Sequence, residues 1–247
     1  MSLLRRPFLF AYVVISIYQI QEVAIMRKGL TEIIFILDRS GSMSGLESDT
    51  IGGFNSLIEK QKEEGSEACI TTVLFDDKIE LLHDRNNLAE LGPMTEKDYF
   101  VRGSTALLDA VGDTVHRMET IYQYARDEDI PEKTMVVITT DGMENSSRRY
   151  SYSEVSQMVK LSQEKRSWEY IFLGANLDAA ETACRIGIRR DHAANYTYDG
   201  KGIQCCYDSV SMAVKSMRSN KECPIEIPEF LKKVREDYEA RSGAVEK

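Results

Sequence analysis

Apolar positions along the chain follow two alternating rhythms. Short runs of β-branched and aromatic residues mark strands at 31–37 (TEIIFIL), 69–75 (CITTVLF), 134–139 (TMVVIT) and 168–173 (WEYIFL). The first and third are apolar almost throughout, the pattern of a strand covered on both faces. A run at 78–82 (KIELL) follows Asp76-Asp77 closely enough to predict a hairpin with the second strand, and 194–198 reads as a weaker final strand. Between these runs the apolar spacing changes to three and four. Ile51, Phe54, Leu57 and Ile58 predict a helix over 49–65 that Gly65 stops; Leu108, Val111, Val115, Met118 and Tyr122 predict a longer one. Val155, Met158 and Val159 line a helix over 153–166, and further helices are expected at 179–186 and 201–217. The stretch 84–103 is irregular, with a turn at Gly92-Pro93. Strands alternating with helices predict an α/β fold, doubly wound around a mostly parallel sheet with helices on both faces.

The two ends depart from this pattern. After Asn220, Pro224 and Pro228 interrupt it, and 229–241 reads as a charged helical tail (219–247 overall) that is solvated or weakly packed. At the other end Arg5-Arg6 precede an apolar stretch at 7–20 (PFLFAYVVISIYQI), which has the length of a signal core and is short for a membrane span. Glu22 occupies a place where a cleavage site needs a small residue, and Met26-Arg27-Lys28 leads straight into the first strand. The codons of Gln21-Glu22-Val23 can spell a purine-rich ribosome-binding sequence just before the Met26 codon. The expectation is that 1–25 is a misassigned start, with a translated signal or anchor as the alternative, and that the α/β domain spans 29–218.

A net charge of −9 without a long basic run argues against a nucleic-acid groove or an anionic membrane surface as partner. The five cysteines (Cys69, Cys184, Cys205, Cys206, Cys223) show no C-x-x-C spacing, which points to reduced thiols in a cytoplasmic protein. His83, His116 and His192 are scattered and read as packing or surface residues.

Candidate chemistry lies where strands end. The first strand delivers Asp38, Ser40 and Ser42 (DRSGS) into one turn, and the third apolar strand ends in Thr140-Asp141-Gly142. Thr105 lies between them in RGSTALLDA, just ahead of the long helix. Alone, an Asp-x-Ser-x-Ser turn is also helix-capping chemistry. In a parallel sheet, however, the carboxyl ends of strands share one rim, and the three segments together can enclose a cation. Mg²⁺ takes six oxygens and usually keeps some water. Ser40, Ser42 and Thr105 would offer neutral hydroxyl oxygens, while Asp38 and Asp141 hold bound waters and orient the serines. An ion held mostly by neutral oxygens keeps its appetite for one more anionic ligand.

The set Asp38-x-Ser40-x-Ser42, Thr105 and Asp141, with GSTALLDA and ITTDG around the last two, resembles the metal-ion-dependent adhesion site of von Willebrand factor A domains. The resemblance runs from about Leu30 to Met217. It implies a six-stranded sheet in the order 3-2-1-4-5-6 with the third strand antiparallel at one edge. It also implies that the three hydroxyls bind Mg²⁺ or Mn²⁺ directly, the aspartates act mostly through water, and a partner protein's Glu or Asp completes the shell. The expected function is therefore a non-enzymatic, cation-dependent protein-binding module, with ATPase- or kinase-containing bacterial assemblies as a fold-level analogy for its setting. The alternative is a Mg²⁺-dependent phosphoryl-transfer enzyme. A haloacid-dehalogenase-type phosphatase would need a second acid where Ser40 stands, and the P-loop pattern G-x-x-x-x-G-K-[ST] is absent. Among neighbouring residues, Asp76 and Asp77 read as hairpin-turn residues, with Asp76 able to face the rim. Asp109 reads as exposed or locally bonded, and Asn55 as a loop brace or local cap.

Overall fold

β1 (Arg27–Asp38) accounts for the layering of the whole molecule. It is buried at every position from 30 to 38, and its side chains alternate between two hydrophobic clusters. Ile33, Phe35 and Leu37 enter one, Ile34 and Ile36 the other. A strand with no polar face can only lie at the centre of a three-layer sandwich. The computed structural model describes residues 26–176, 178–219 and 225–242. In it β1 pairs in parallel with β2 (Ala68–Phe75) on one side and β4 (Pro131–Thr140) on the other. β3 (Ile79–Asn87) runs antiparallel to β2 at one edge, and β5 (Glu169–Gly174) and β6 (Ala193–Asn195) continue in parallel beyond β4. The six strands are ordered β3-β2-β1-β4-β5-β6, as expected.

Helices α1 (Glu47–Lys62), α5 (Gly200–Arg218) and α6 (Ile227–Ser242) cover the Phe35 face. Helices α2 (Leu107–Tyr124), α3 (Tyr152–Arg166) and α4 (Ala179–Arg185) cover the Ile34 face. α3 starts with a complete capping box, in which the Ser151 hydroxyl accepts from the Glu154 N–H and the Glu154 carboxylate accepts from the Ser151 N–H. Cys205 and Cys206 are both buried because α5 is packed between the sheet and α6; with Cys69 and Cys184 they are free thiols.

Three elements differ from expectation. β3 continues past residue 82 to Asn87, so part of the segment read as irregular is strand. Its second half is polar and half-exposed, and its register with β2 shifts near Arg85, whose φ is 53°. An edge strand can be held by the ladder of its neighbour without carrying an apolar pattern of its own. β6 is shorter than expected, ending at Asn195. The tail helix α6 is also more than a solvated extension, because Ile227, Leu231 and Val234 are at most 1% exposed in the main core cluster. Their i, i+4, i+7 stripe is narrow, and the charges around it mask it in the sequence. Among the described residues no helix is long and apolar enough to cross a membrane. The reading of residues 1–25 falls outside the described residues, as does Cys223.

Candidate metal centre

Because β1 and β4 are adjacent and parallel, with Leu37 opposite Thr139, their carboxyl ends emerge side by side. The loop before α2 reaches the same rim. There the structure joins all five expected residues by hydrogen bonds. Thr105 Oγ1 donates to Ser40 Oγ at 3.0 Å, the Ser40 and Ser42 hydroxyls share a bond of 3.0 Å, and Ser42 Oγ donates to Asp141 Oδ1 at 2.5 Å. Asp38 is fully buried behind them. Its Oδ1 accepts from the Ser40 N–H at 2.7 Å and its Oδ2 from Thr140 Oγ1 at 2.5 Å. Ser40, Thr105 and Asp141 are no more than 2% exposed, whereas Ser42 faces solvent. The cluster thus has one open side.

Backbone braces fix the turn. Tyr99 Oη donates to the Asp38 carbonyl at 2.6 Å from within the core, and Tyr198 Oη lies 2.5 Å from the Ser42 carbonyl and 2.7 Å from that of Ser44. Gly142 passes so close to the cluster that a Cβ there would lie 2.7 Å from Thr105 Oγ1 and 3.1 Å from Ser42 Oγ. Only glycine leaves that space to the two hydroxyls.

Arg39, the variable residue between Asp38 and Ser40, is fully buried, a position no hydrophobic pattern could reveal. Its Nε donates to Asp76 Oδ2 at 2.8 Å and its Nη2 to Glu80 Oε2 at 2.8 Å. Arg102 Nε donates to the same Asp76 oxygen at 2.7 Å, and the Lys78 N–H donates to Asp76 Oδ1 at 2.8 Å. Both guanidinium groups lie over the Phe100 ring, 5.5 and 5.2 Å from its centroid. Asp76 is therefore more than a turn residue: it ties the Arg39 loop to the Arg102 loop. Asp109 is likewise buried rather than exposed, and its carboxylate accepts the N–H groups of Arg148, Arg149 and Tyr150. Asn55 braces the loop ahead of Tyr99 through two bonds with the Met94 backbone.

Burial pushes the Asp38 carboxyl up to about 6, although its hydrogen bonds from Thr140 and Ser40 act the other way. Asp141 is raised as well, again by burial and against the bond from Ser42. Two carboxylates that burial makes harder to deprotonate therefore flank three hydroxyls. Asp141 Oδ2 is buried and has no hydrogen-bond partner, an unmet acceptor inside the cluster. The donor set is all oxygen, which suits a hard divalent cation. Among the described residues no group of three or more His, Cys, Asp or Glu could form a carboxylate or thiolate cage elsewhere.

No family model and no curated protein sequence matches the chain. Solved structures do. The von Willebrand factor domain of the type V pilus tip protein Mfa5 from Porphyromonas gingivalis superposes with a TM-score of 0.57 at 9% identity, covering 78% of this chain and 98% of that one. The fold is that of a von Willebrand factor A domain. The PilB minor pilin of Streptococcus sanguinis, solved as a D319A mutant, gives a TM-score of 0.58 at 12% identity over 81% of this chain and 64% of that one. Proximal thread matrix protein 1 from the mussel byssus, solved with a zinc-occupied adhesion motif, gives 0.50 at 16% identity over 76% of this chain. This chain spans only 46% of the mussel protein. At such identities the likeness establishes the fold, which is the von Willebrand A architecture from β1 through the helices on both faces.

Proposed function

We propose that this von Willebrand A-type domain is a divalent-cation-dependent protein-binding module. In this reading Ser40, Ser42 and Thr105 hold Mg²⁺ or Mn²⁺ through their hydroxyl oxygens, and Asp38 and Asp141 supply the balancing charge. The observation that carries it is the hydrogen-bonded chain from Thr105 through Ser40 and Ser42 to Asp141, drawn from three separate loops and ending beside the partnerless Asp141 Oδ2. The hydroxyls that now satisfy one another have lone pairs that a cation can take. The zinc-occupied motif of the mussel protein supports a cation in this type of fold.

The bound cation would supply a Lewis-acidic docking point for a carboxylate from outside. The partner is a protein that presents a Glu or Asp side chain at the open side marked by Ser42. Ser42, the exposed member of the cluster, is a neutral hydroxyl, so the ligand at the open side brings no charge of its own against an incoming carboxylate. The role is recognition rather than catalysis. The position a phosphatase would give to a second acid is held by Ser40, whose hydroxyl is already engaged by Thr105.

Isothermal titration of the full chain with Mg²⁺ and Mn²⁺, followed by partner capture from lysate, tests the reading. Capture in Mg²⁺ with release by EDTA, lost in Thr105→Ala while the circular dichroism spectrum is retained, is the expected result. Capture unchanged by EDTA, or by Thr105→Ala, contradicts it.

A further inference from the structure

The third loop of the site does more than carry Asp141. Shortly after it, residues 144–150 are laid against the start of α2 by hydrogen bonds to Thr105, Leu108 and Asp109. The Thr105 N–H donates to Asn145 Oδ1 at 3.0 Å, and the Thr105 carbonyl accepts the N–H groups of Asn145 at 3.1 Å and Ser146 at 3.2 Å. Both backbone polar groups of this one residue are thus satisfied by a single neighbouring segment. Thr105 cannot use helical partners instead. It precedes the first turn of α2, where N–H groups have no intrahelical acceptor. Glu144 and Asp109 anchor the same segment on either side. Glu144 Oε2 accepts from the Leu108 N–H at 2.9 Å, its Oε1 accepts from the N–H groups of Ser146 and Ser147, and Asp109 holds those of Arg148, Arg149 and Tyr150.

We infer that Asn145 is a positioning residue for the cation site: its carboxamide oxygen locks the Thr105 backbone, and so aims the Thr105 hydroxyl toward Ser40. The hydrogen bonds of Asn145 run to the Thr105 backbone and not to a site hydroxyl. It acts through Thr105, and it makes the placing of one ligand loop depend on the loop that carries Asp141. Cation ligands held by such outer bonds lose about 10-fold or more in affinity when the bond is removed. The role needs only an acceptor, because it is the side-chain oxygen that receives the Thr105 N–H. Asparagine and aspartate can both fill it; alanine cannot. The inference rests on the cation reading above.

Two measurements on the full chain test it. Mn²⁺ affinity is read by titration for wild type, Asn145→Ala and Asn145→Asp, with Ser151→Ala as a control that loses the α3 capping box, whose bonds join Ser151 to Glu154. Amide hydrogen exchange of Thr105 is read in EDTA. The expected result is about a tenfold weaker Mn²⁺ affinity in Asn145→Ala, recovery in Asn145→Asp, and wild-type affinity in Ser151→Ala despite its lowered melting temperature. The Thr105 amide should exchange slowly in wild type and in Asn145→Asp, and fast in Asn145→Ala. Wild-type Mn²⁺ affinity in Asn145→Ala, or an affinity in Ser151→Ala that falls in step with its melting temperature, overturns the positioning role alone. Failure of the wild type to bind Mn²⁺ overturns the cation reading and this inference with it.

Discussion

The buried ion pair beside the site makes an asymmetric prediction. Arg39 is wholly buried and always charged, and its main counter-charge is Asp76, which is also wholly buried. Glu80, its second partner, is 49% exposed at the side chain and is screened by water. Asp76→Ala would therefore strand a guanidinium in the interior, at a cost of about 4 kcal/mol. Arg39→Met keeps most of the stem volume and leaves Asp76 with Arg102 and the Lys78 N–H. Its cost should be about 1.5–3 kcal/mol, the scale of the buried charge-assisted bond to Asp76, because the second bond lost, to Glu80, is screened by water. The double variant Arg39→Met/Asp76→Leu removes both buried charges and should recover part of the loss, since Arg102 is 39% exposed and can rehydrate. In a domain of this size each kcal/mol moves the melting temperature by roughly 2–4 °C, so Asp76→Ala should melt roughly 8–16 °C below wild type. Urea unfolding followed by circular dichroism, with midpoint and slope fitted together, measures all three. A loss in Arg39→Met equal to or larger than that in Asp76→Ala would refute the reasoning.

Other parts of the fold make their own demands. Asp109→Ala removes the acceptor of three backbone N–H groups and should cost about 1–3 kcal/mol at pH 7. Burial alone would raise the Asp109 carboxyl, but those N–H groups hold it below its ordinary 3.8. Its contribution is therefore present above that pH and lost as pH falls through the depressed folded value, so the gap between variant and wild type in urea melts should close in acid. Gly142→Ala puts a methyl group 2.7 Å from Thr105 Oγ1 and should abolish Mn²⁺ binding in a titration, with circular dichroism still showing the fold. Leu231→Ala hollows the contact between α6 and the core and should cost about 2–5 kcal/mol in urea unfolding; a loss below about 0.5 kcal/mol would mean that the helix is dispensable.

The centre of the sheet was legible because β1 and β4 are apolar almost throughout, the pattern of strands covered on both faces, and the strand order followed from the resemblance to von Willebrand factor A domains. The five rim residues were legible because Asp38, Ser40, Ser42 and Asp141 follow the ends of β1 and β4, which are adjacent, and Thr105 lies in the loop that leads into α2. What escaped reading depends on long-range contacts that leave no periodic trace. Arg39 looks like any surface arginine until Asp76 and Phe100 close over it. Asn145 and Tyr198 are loop residues whose partners, Thr105 and the Ser42 carbonyl, lie 40 and 156 positions away. The second half of β3 is strand because β2 supplies its ladder, and α6 reads as charged because only three of its apolar residues are fully buried. Local pattern reports what an element needs from water, not which distant backbone group it will hold.

A crystal structure of the full chain soaked in Mn²⁺, with anomalous scattering used to locate the metal, tests the central claim most directly. A single strong site bonded to the hydroxyl oxygens of Ser40, Ser42 and Thr105, with Asp38 and Asp141 beside it, is the expected result. Manganese bound only at other surface carboxylates, with the three hydroxyls still bonded to one another, would contradict it.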